Sequence, residues 1–299
     1  MYIVRHRPLF FWITGLLLAG AIAAILVWGL PLGIDFTGGS LMQVSYSGTR
    51  PALSDIQNEI SVVPLGTVSV RAYGDNGVSI RTRTMTPGEH DAVLAAISKN
   101  ASTTELAYTS VGPALGSQFT NKALWALFAV MLVIVLYIAF AFRKVSRPVP
   151  GWGYGLTVVA MLVIDILVPT GFYAAYCHFT GAEVDSLFVV ALLALLGYCV
   201  NDVIVIFDRV REHLAKNEKT GLKESFEDTI GKSINETMRR SINTALTVAL
   251  ALLALIYLGA PATQNFALVM LVGVVAGTFS SICRSAPLLI PIANWFNKK

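Results

Sequence analysis

Charge is scarce in this sequence. Lysine, arginine, aspartate and glutamate make up 13% of its 299 residues, against about 25% in soluble domains. From residue 184 to 206 the only formal charges are Asp185 and Asp202, and from 241 to 281 there is none. Lipid is therefore the expected main solvent. Cysteine is scarce too. Cys177, Cys199 and Cys283 lie in or beside apolar segments, none of them in a C-x-x-C pair, which argues against a zinc site or a disulfide framework. The chain has no His-Glu-x-x-His and no Gly-x-Gly-Asp-like setting for a second aspartate. A metalloprotease, or an intramembrane aspartyl protease built on Asp165 and Asp202, is set aside. The expectation is a non-enzyme with no metal and no cofactor. The net charge of +4 does not point to nucleic acid, because basic residues beside membrane spans report topology.

What the sequence has instead is long apolar runs. A helix crossing the hydrocarbon core needs about 20 mostly apolar residues. Six stretches qualify, at about 9–30, 123–142, 154–173, 186–207, 242–258 and 266–295. The first is too long for a signal-peptide core and has no small-residue cleavage site before Pro31, so an uncleaved anchor is expected. Lysine and arginine near the ends give orientation. Arg5 and Arg7 precede the first span, and Arg143, Lys144 and Arg147 follow the second. Arg209, Arg211, Lys216, Lys219, Lys223, Lys232, Arg239 and Arg240 cluster after the fourth, and Lys298 and Lys299 follow the sixth. The loops 174–185 and 259–265 contain neither residue type. Both termini are expected in the cytoplasm, with a cytoplasmic loop at about 209–240.

The polar segment from about 31 to 120 is then extracytoplasmic, followed by a bundle of spans over 121–299. Its pattern reads as strand 41–46, helix 51–60, strands 67–73 and 78–83, helix 87–97 and strand 103–110. Asp75-Asn76-Gly77 is a hairpin turn signal, and Thr86 is a plausible helix N-cap. The order β-α-β-β-α-β predicts a ferredoxin-like α+β domain. His90, its only histidine, has no nucleophile or metal-ligand spacing around it, so the domain reads as a binding module.

Ionisable side chains inside a span are costly and mark pathways or relays. Asp202 stands about five residues inside the cytoplasmic end of the fourth span, with Tyr198 and Cys199 on the same helical face. Asp165 lies near the middle of the third, four residues before Pro169. Arg240 begins the fifth span. Arg284, in the sixth, is expected to snorkel like other arginines near span ends. Asp208, Arg209 and Arg211 read as solvated boundary charges. Gly273, Ala276, Gly277, Ser280 and Ser281 suggest close helix packing.

Five motifs follow in order. Gly33-Ile34-Asp35-Phe36-Thr37-Gly38-Gly39 follows the first span, and Val111-Gly112-Pro113 with Gly116 precedes the second. Gly197-Tyr198-Cys199-Val200-Asn201-Asp202 runs on to Phe207-Asp208-Arg209-Val210-Arg211-Glu212. Ser233, Thr237, Arg240, Ser241 and Thr244 approach the fifth span, and Gly277-Thr278-Phe279-Ser280-Ser281 lies in the sixth. This set resembles the SecF subunits of bacterial protein translocases, in the resistance-nodulation-division superfamily, across essentially the whole chain. The resemblance implies a bacterial plasma-membrane protein that works with a SecD-like subunit beside the SecYEG channel, and with a small accessory membrane subunit. It implies use of the proton-motive force to draw unfolded secretory chains outward, with membrane lipid around the spans. It also implies that Asp202 and Arg240 are tied to proton movement and that Asp165 is a matching third-span aspartate. Ile164 stands where the family often has histidine, and Cys199 where it often has serine. The alternative is a half-transporter of the same superfamily exporting a small molecule or lipid. Export of labelled secretory protein, set against drug efflux in a deletion strain, separates the two.

The orientation is testable directly. A cysteine placed in loop 174–185 should react with an impermeant thiol reagent added outside intact spheroplasts, and one placed at Asn217 should not. Reversed labelling would overturn the topology.

Overall fold

A computed structural model describes residues 2–99, 102–143, 148–222 and 224–297. Lys144, Arg147, Lys223, Lys298 and Lys299 of the basic clusters lie outside the described residues. In chain order the elements begin with α1 (Tyr2–Arg5), α2 (Arg7–Trp28), α3 (Ile34–Thr37), β1 (Gly39–Tyr46), α4 (Leu53–Ile60), β2 (Ser69–Tyr73), β3 (Gly77–Thr82), α5 (Pro87–Ile97) and β4 (Thr103–Val111). They continue with α6 (Pro113–Ala141), α7 (Gly151–Thr180), α8 (Ser186–Thr220), α9 (Phe226–Leu258), α10 (Pro261–Ser280), a π-helical turn (Ser281–Ser285) and α11 (Leu289–Asn297). Among the described residues six helices are long and apolar enough to cross a membrane, the sixth running Thr263–Trp295 through α10, the π turn and α11. The protein is thus a multi-pass α-helical membrane protein.

Two compact units divide the chain, one of them Pro31–Leu124 with Thr180–Ser186. In this unit the sheet order is β2-β3-β1-β4 with every neighbour antiparallel, the order of a ferredoxin-like domain. Side chains alternate across a strand, so Met42, Val44 and Tyr46 of β1 enter the core beside Val78 and Ile80 of β3. Positions four apart share a helix face, and Ile56 with Ile60, and Val93 with Ile97, close that core from α4 and α5. The hairpin turns through Gly74, whose φ of 57° suits glycine, slightly ahead of the expected Asp75-Asn76-Gly77. Thr86 caps α5: its hydroxyl accepts from the Glu89 amide at 3.4 Å, and Glu89 accepts from the Thr86 amide at 2.8 Å.

The other unit holds the spans. α7, α8 and the sixth span have 50%, 50% and 61% of their apolar windows buried, against 11% for α2, α6 and α9. The first three therefore form its interior. Phe142, Tyr154 and Phe207 pack ring on ring there, at 5.0–6.0 Å between centroids. Gly171 admits the backbone of Ala21, so α2 lies close against α7.

Three expectations about these helices change. α6 starts at Pro113, ten residues before the predicted span, because proline suits a first helical position and no lipid is needed to continue a helix. Within the expected loop at 209–240, residues 209–220 and 226–240 are helical. Ion pairs hold these polar extensions, among them Arg209 to Glu212 at 2.5 Å, Arg211 to Asp208 at 2.5 Å, and Arg209 to Glu236 across from α8 to α9. Hydropathy marks where lipid ends, and the helix runs on in water. The sixth span is not one continuous α-helix, since Pro287 and Pro291 each lack the N–H that would close an α-helical bond.

One consequence concerns α5. The Arg83 guanidinium, followed by the Thr86 amide, pulls the Glu89 carboxyl from 4.5 down to about 2. A depressed folded value means that this contribution is present above pH 4.5 and is lost as pH falls toward 2. Thr86→Ala should destabilise the helix start by about 1 kcal/mol. Hydrogen exchange of the first-turn amides of α5 should then quicken roughly fivefold, and in the wild-type protein their protection, relative to the unstructured exchange rate at each pH, should fall along the same acid limb.

Candidate functional site

The aspartate expected as the core of the site is buried. Asp202 of α8 is 9% exposed. Ser241 of α9 donates to its Oδ1 at 2.5 Å, and Ser281 of the π turn donates to its Oδ2 at 2.5 Å. The Ser281 hydroxyl also lies 3.0 Å from the Thr278 carbonyl. Beside them Tyr198 Oη and Thr278 Oγ1 are 3.2 Å apart. Gly277 makes room for this: a Cβ there would overlap the Cys199 sulfur. Gly273 is likewise filled by Leu195. The small residues of the last span thus let α10 approach α8.

Asp165 of α7 is 2% exposed. Pro169, four residues on, has no N–H for the Asp165 carbonyl, so the helix is short of one bond there. Ser280 and Cys199 lie beside the Asp165 carboxylate, and Cys199 also neighbours Asp202. Arg284 of the π turn is 3% exposed and points inward, with Nη2 3.8 Å from Asp165 Oδ1. It also donates to Ser280 Oγ. The expected snorkelling of Arg284 is therefore overturned. A π turn holds five residues where an α-helix closes on four, and here it aims Arg284 at the neighbouring carboxylate rather than at the boundary.

Asp202 and Arg240 are not paired in this structure. Ser241 reaches Asp202, and adjacent helical residues point to different faces, so Arg240 is turned to the exposed side. It lines a cleft of about 500 Å³ with Ile204, Val205, Asp208, Arg209, Glu212, Glu236 and Thr237. The boundary residues Asp208 and Arg209 belong to the ion-pair network described above. Arg209, and after it His213, holds Glu236 below the usual carboxylate range. Two direct partners, Ser241 and Ser281, had a place in the motifs but no role. The signal was there: both are serines at the ends of the uncharged stretch, but nothing linear says which helix faces meet.

The glycine motif has a different use. Gly38 and Gly39 have φ of 75° and 125°, where a side chain is strained. A Cβ on Gly38 would stand 2.7 Å from Pro113 Cα, on Gly39 2.6 Å from the Thr82 carbonyl oxygen, and on Gly33 2.8 Å from that of Val184. Gly116 closes on Gly38 and Phe36. Four chain segments meet here, at 33–39, 82, 112–116 and 184, with no room for side chains. Asp35 accepts from the Ser186 amide at 2.7 Å, capping the start of α8. Nearby, Glu183 takes ion pairs from Arg81 at 2.9 Å and Arg71 at 3.4 Å. By contrast Gly197 has nothing within 4 Å, and Asn201 on the same face of α8 is exposed.

Six spans with ionisable groups enclosed among them, plus a ferredoxin-like domain, define a polytopic membrane protein of the kind that moves something across a bilayer. Residues 91–295 match the C-terminal family of the protein export membrane proteins SecD/SecF, and residues 23–49 match the SecD/SecF GG motif. The chain belongs to the SecD/SecF family, on its SecF side. Protein translocase subunit SecF of Thermobaculum terrenum is 38% identical, over 99% of this chain and 94% of the relative. That of Anaerolinea thermophila is 33% identical, over 99% and 97%. Among solved structures SecDF of Thermus thermophilus, a translocon-associated membrane protein, superposes with a TM-score of 0.84 at 26% identity. The match covers 98% of this chain but 39% of that one.

Gly38→Ala and Gly39→Ala should each destabilise the protein by roughly 1–3 kcal/mol, seen as a lower melting temperature in detergent. Gly48→Ala is the control, since nothing lies within 4 Å of Gly48, and it should be neutral.

Proposed function

We propose that this chain is the SecF half of a SecD/SecF-type pair that uses the proton-motive force to promote late-stage export of secretory proteins through a SecYEG-type channel. It acts without catalysing a chemical conversion, from a bacterial plasma membrane, with both termini in the cytoplasm. The observation that carries the reading is Asp202, a carboxylate buried among spans and held by hydroxyls from two other elements. A serine hydroxyl can donate or accept, so these partners suit both the ionised and the protonated acid. Asp202 is the group that exchanges the proton, and Arg240 and Asp165 are the other charged groups of the path. Arg240 adjoins Ser241, so a rotation of α9 by about 100°, one residue's turn, would exchange the serine for the guanidinium and hold Asp202 ionised. The membrane potential supplies about 2.3 kcal/mol per charge per 100 mV, enough to shift a two-state equilibrium more than tenfold.

A SecD-like partner is supported by the outer face of α8. Val190, Ala194, Gly197 and Asn201 are exposed at spacings of three and four, so they share one face. On α9, Asn243, Thr244 and Thr247 are exposed too. Small and polar residues in a span suit another helix better than lipid.

Protein export into inverted membrane vesicles, with ATP supplied and with or without an uncoupler, tests the reading. Asp202→Asn keeps the shape but fixes the neutral state. It should leave expression and partner binding intact and abolish the uncoupler-sensitive increment. Arg240→Lys retains charge without the planar donor fork and should reduce that increment. An Asp202→Asn increment equal to wild type would make Asp202 a structural residue.

A further inference from the structure

Among the described residues three charged side chains are buried: Asp165, Asp202 and Arg284. Two carboxylates thus share one cation. An isolated ionised carboxylate in a low-dielectric interior is strongly disfavoured and becomes neutral instead. The cluster as seen is neutral only with one carboxyl protonated. The geometry shows which one the cation serves. Arg284 Nη2 is 3.8 Å from Asp165 Oδ1, and the same guanidinium donates to Ser280, which lies beside Asp165. Asp202 faces hydroxyls at 2.5 Å on both oxygens.

The surrounding groups add no further charge. α7 contributes Met161, whose sulfur accepts from Ser280 at 3.5 Å. α8 contributes Tyr198 and Cys199, α9 contributes Ser241, and α10 contributes Thr278 and Ser280. The π turn contributes Ser281 along with Arg284. Asp165 Oδ2 and Arg284 Nε have no hydrogen-bond partner although both are buried. The pair therefore has one unused acceptor and one unused donor, and at 3.8 Å it is a charge contact without a hydrogen bond.

We propose that Arg284 is the fixed counter-ion of Asp165, holding it as a carboxylate and leaving Asp202 as the one buried carboxyl that takes up and releases a proton. This refines the coupling reading above and rests on it for its transport meaning. Arg284 is a positioning residue here: it sets the charge of Asp165 and leaves the exchange to Asp202. The two hydroxyls around Asp202 rotate between donating and accepting, so its protonation needs no movement of heavy atoms. At Asp165 the cation sits on the carboxylate, and protonation would strand a buried guanidinium, which stays charged at any accessible pH.

Infrared difference spectroscopy on the protein purified in its native assembly reads this without any transport. Protonated carboxyls give a carbonyl band that ionised ones lack. In the wild-type protein the acid band that titrates should vanish with Asp202→Asn; with Asp165→Asn it should still be an Asp202 band but titrate at lower pH, because the Arg284 charge then faces Asp202 alone. Arg284→Gln should create a new acid band that Asp165→Asn removes, and Arg284→Lys, which keeps the charge, should not create it. A wild-type acid band that survives Asp202→Asn, or no Asp165-dependent band in Arg284→Gln, would overturn the assignment. Should Arg284→Gln fail to fold, the wild-type comparison of the two aspartate variants decides alone. If the spectra agree but Asp202→Asn leaves uncoupler-sensitive export unchanged, the charge assignment stands and the transport reading falls.

Discussion

A carboxylate among membrane spans has no water to turn to, so its own protein must supply donors. In this protein the donors for Asp202 come from α9 and from the π turn. One side chain therefore ties together three elements far apart in sequence. The tie explains the small residues around it. Gly277 and Gly273 leave space for Cys199 and Leu195, and without that space α10 could not stand close enough for Ser281 to reach across. Ser281 and Arg284 stand three residues apart in the π turn and are both buried in the interior.

The glycine motif of the ferredoxin-like domain follows a separate logic, in which backbone, not charge, is the crowded quantity. Gly33, Gly38 and Gly39 each meet a backbone atom within 2.6–2.8 Å of where a side chain would begin. Asp35 adds one polar bond, satisfying an amide at the start of α8 that no helical carbonyl could reach. These residues hold a crossing of four segments in place.

Much of this architecture was legible in the sequence. Runs of about 20 apolar residues have one comfortable solution in lipid, and all six were readable. The β-α-β-β-α-β order of the α+β domain followed from strand alternation, a Gly-containing turn and the Thr86 cap, each of which acts over a few residues. The polar continuations of α8 and α9 were not legible. Their stability comes from pairs such as Arg209 with Glu236, 27 residues apart, which no local window contains. The same limit hid the partner of Asp165. Arg284 near a span end reads as a boundary anchor, and only the π turn directs it inward.

By itself the sequence determined how many times the chain crosses the membrane, which segment stands outside the lipid as an α+β domain, and that two aspartates are enclosed. Those properties follow from the solvation of single segments and from short-range periodicity. Only the tertiary structure decided what the aspartates face. Asp202 meets two serines and not Arg240, because Ser241 and Arg240, being neighbours on one helix, cannot look the same way. Asp165 meets Arg284 because α7 and the π turn pack together. Pairing inside a bundle depends on helix rotation and approach, which are set by all the packed side chains at once and written in no one stretch of the chain.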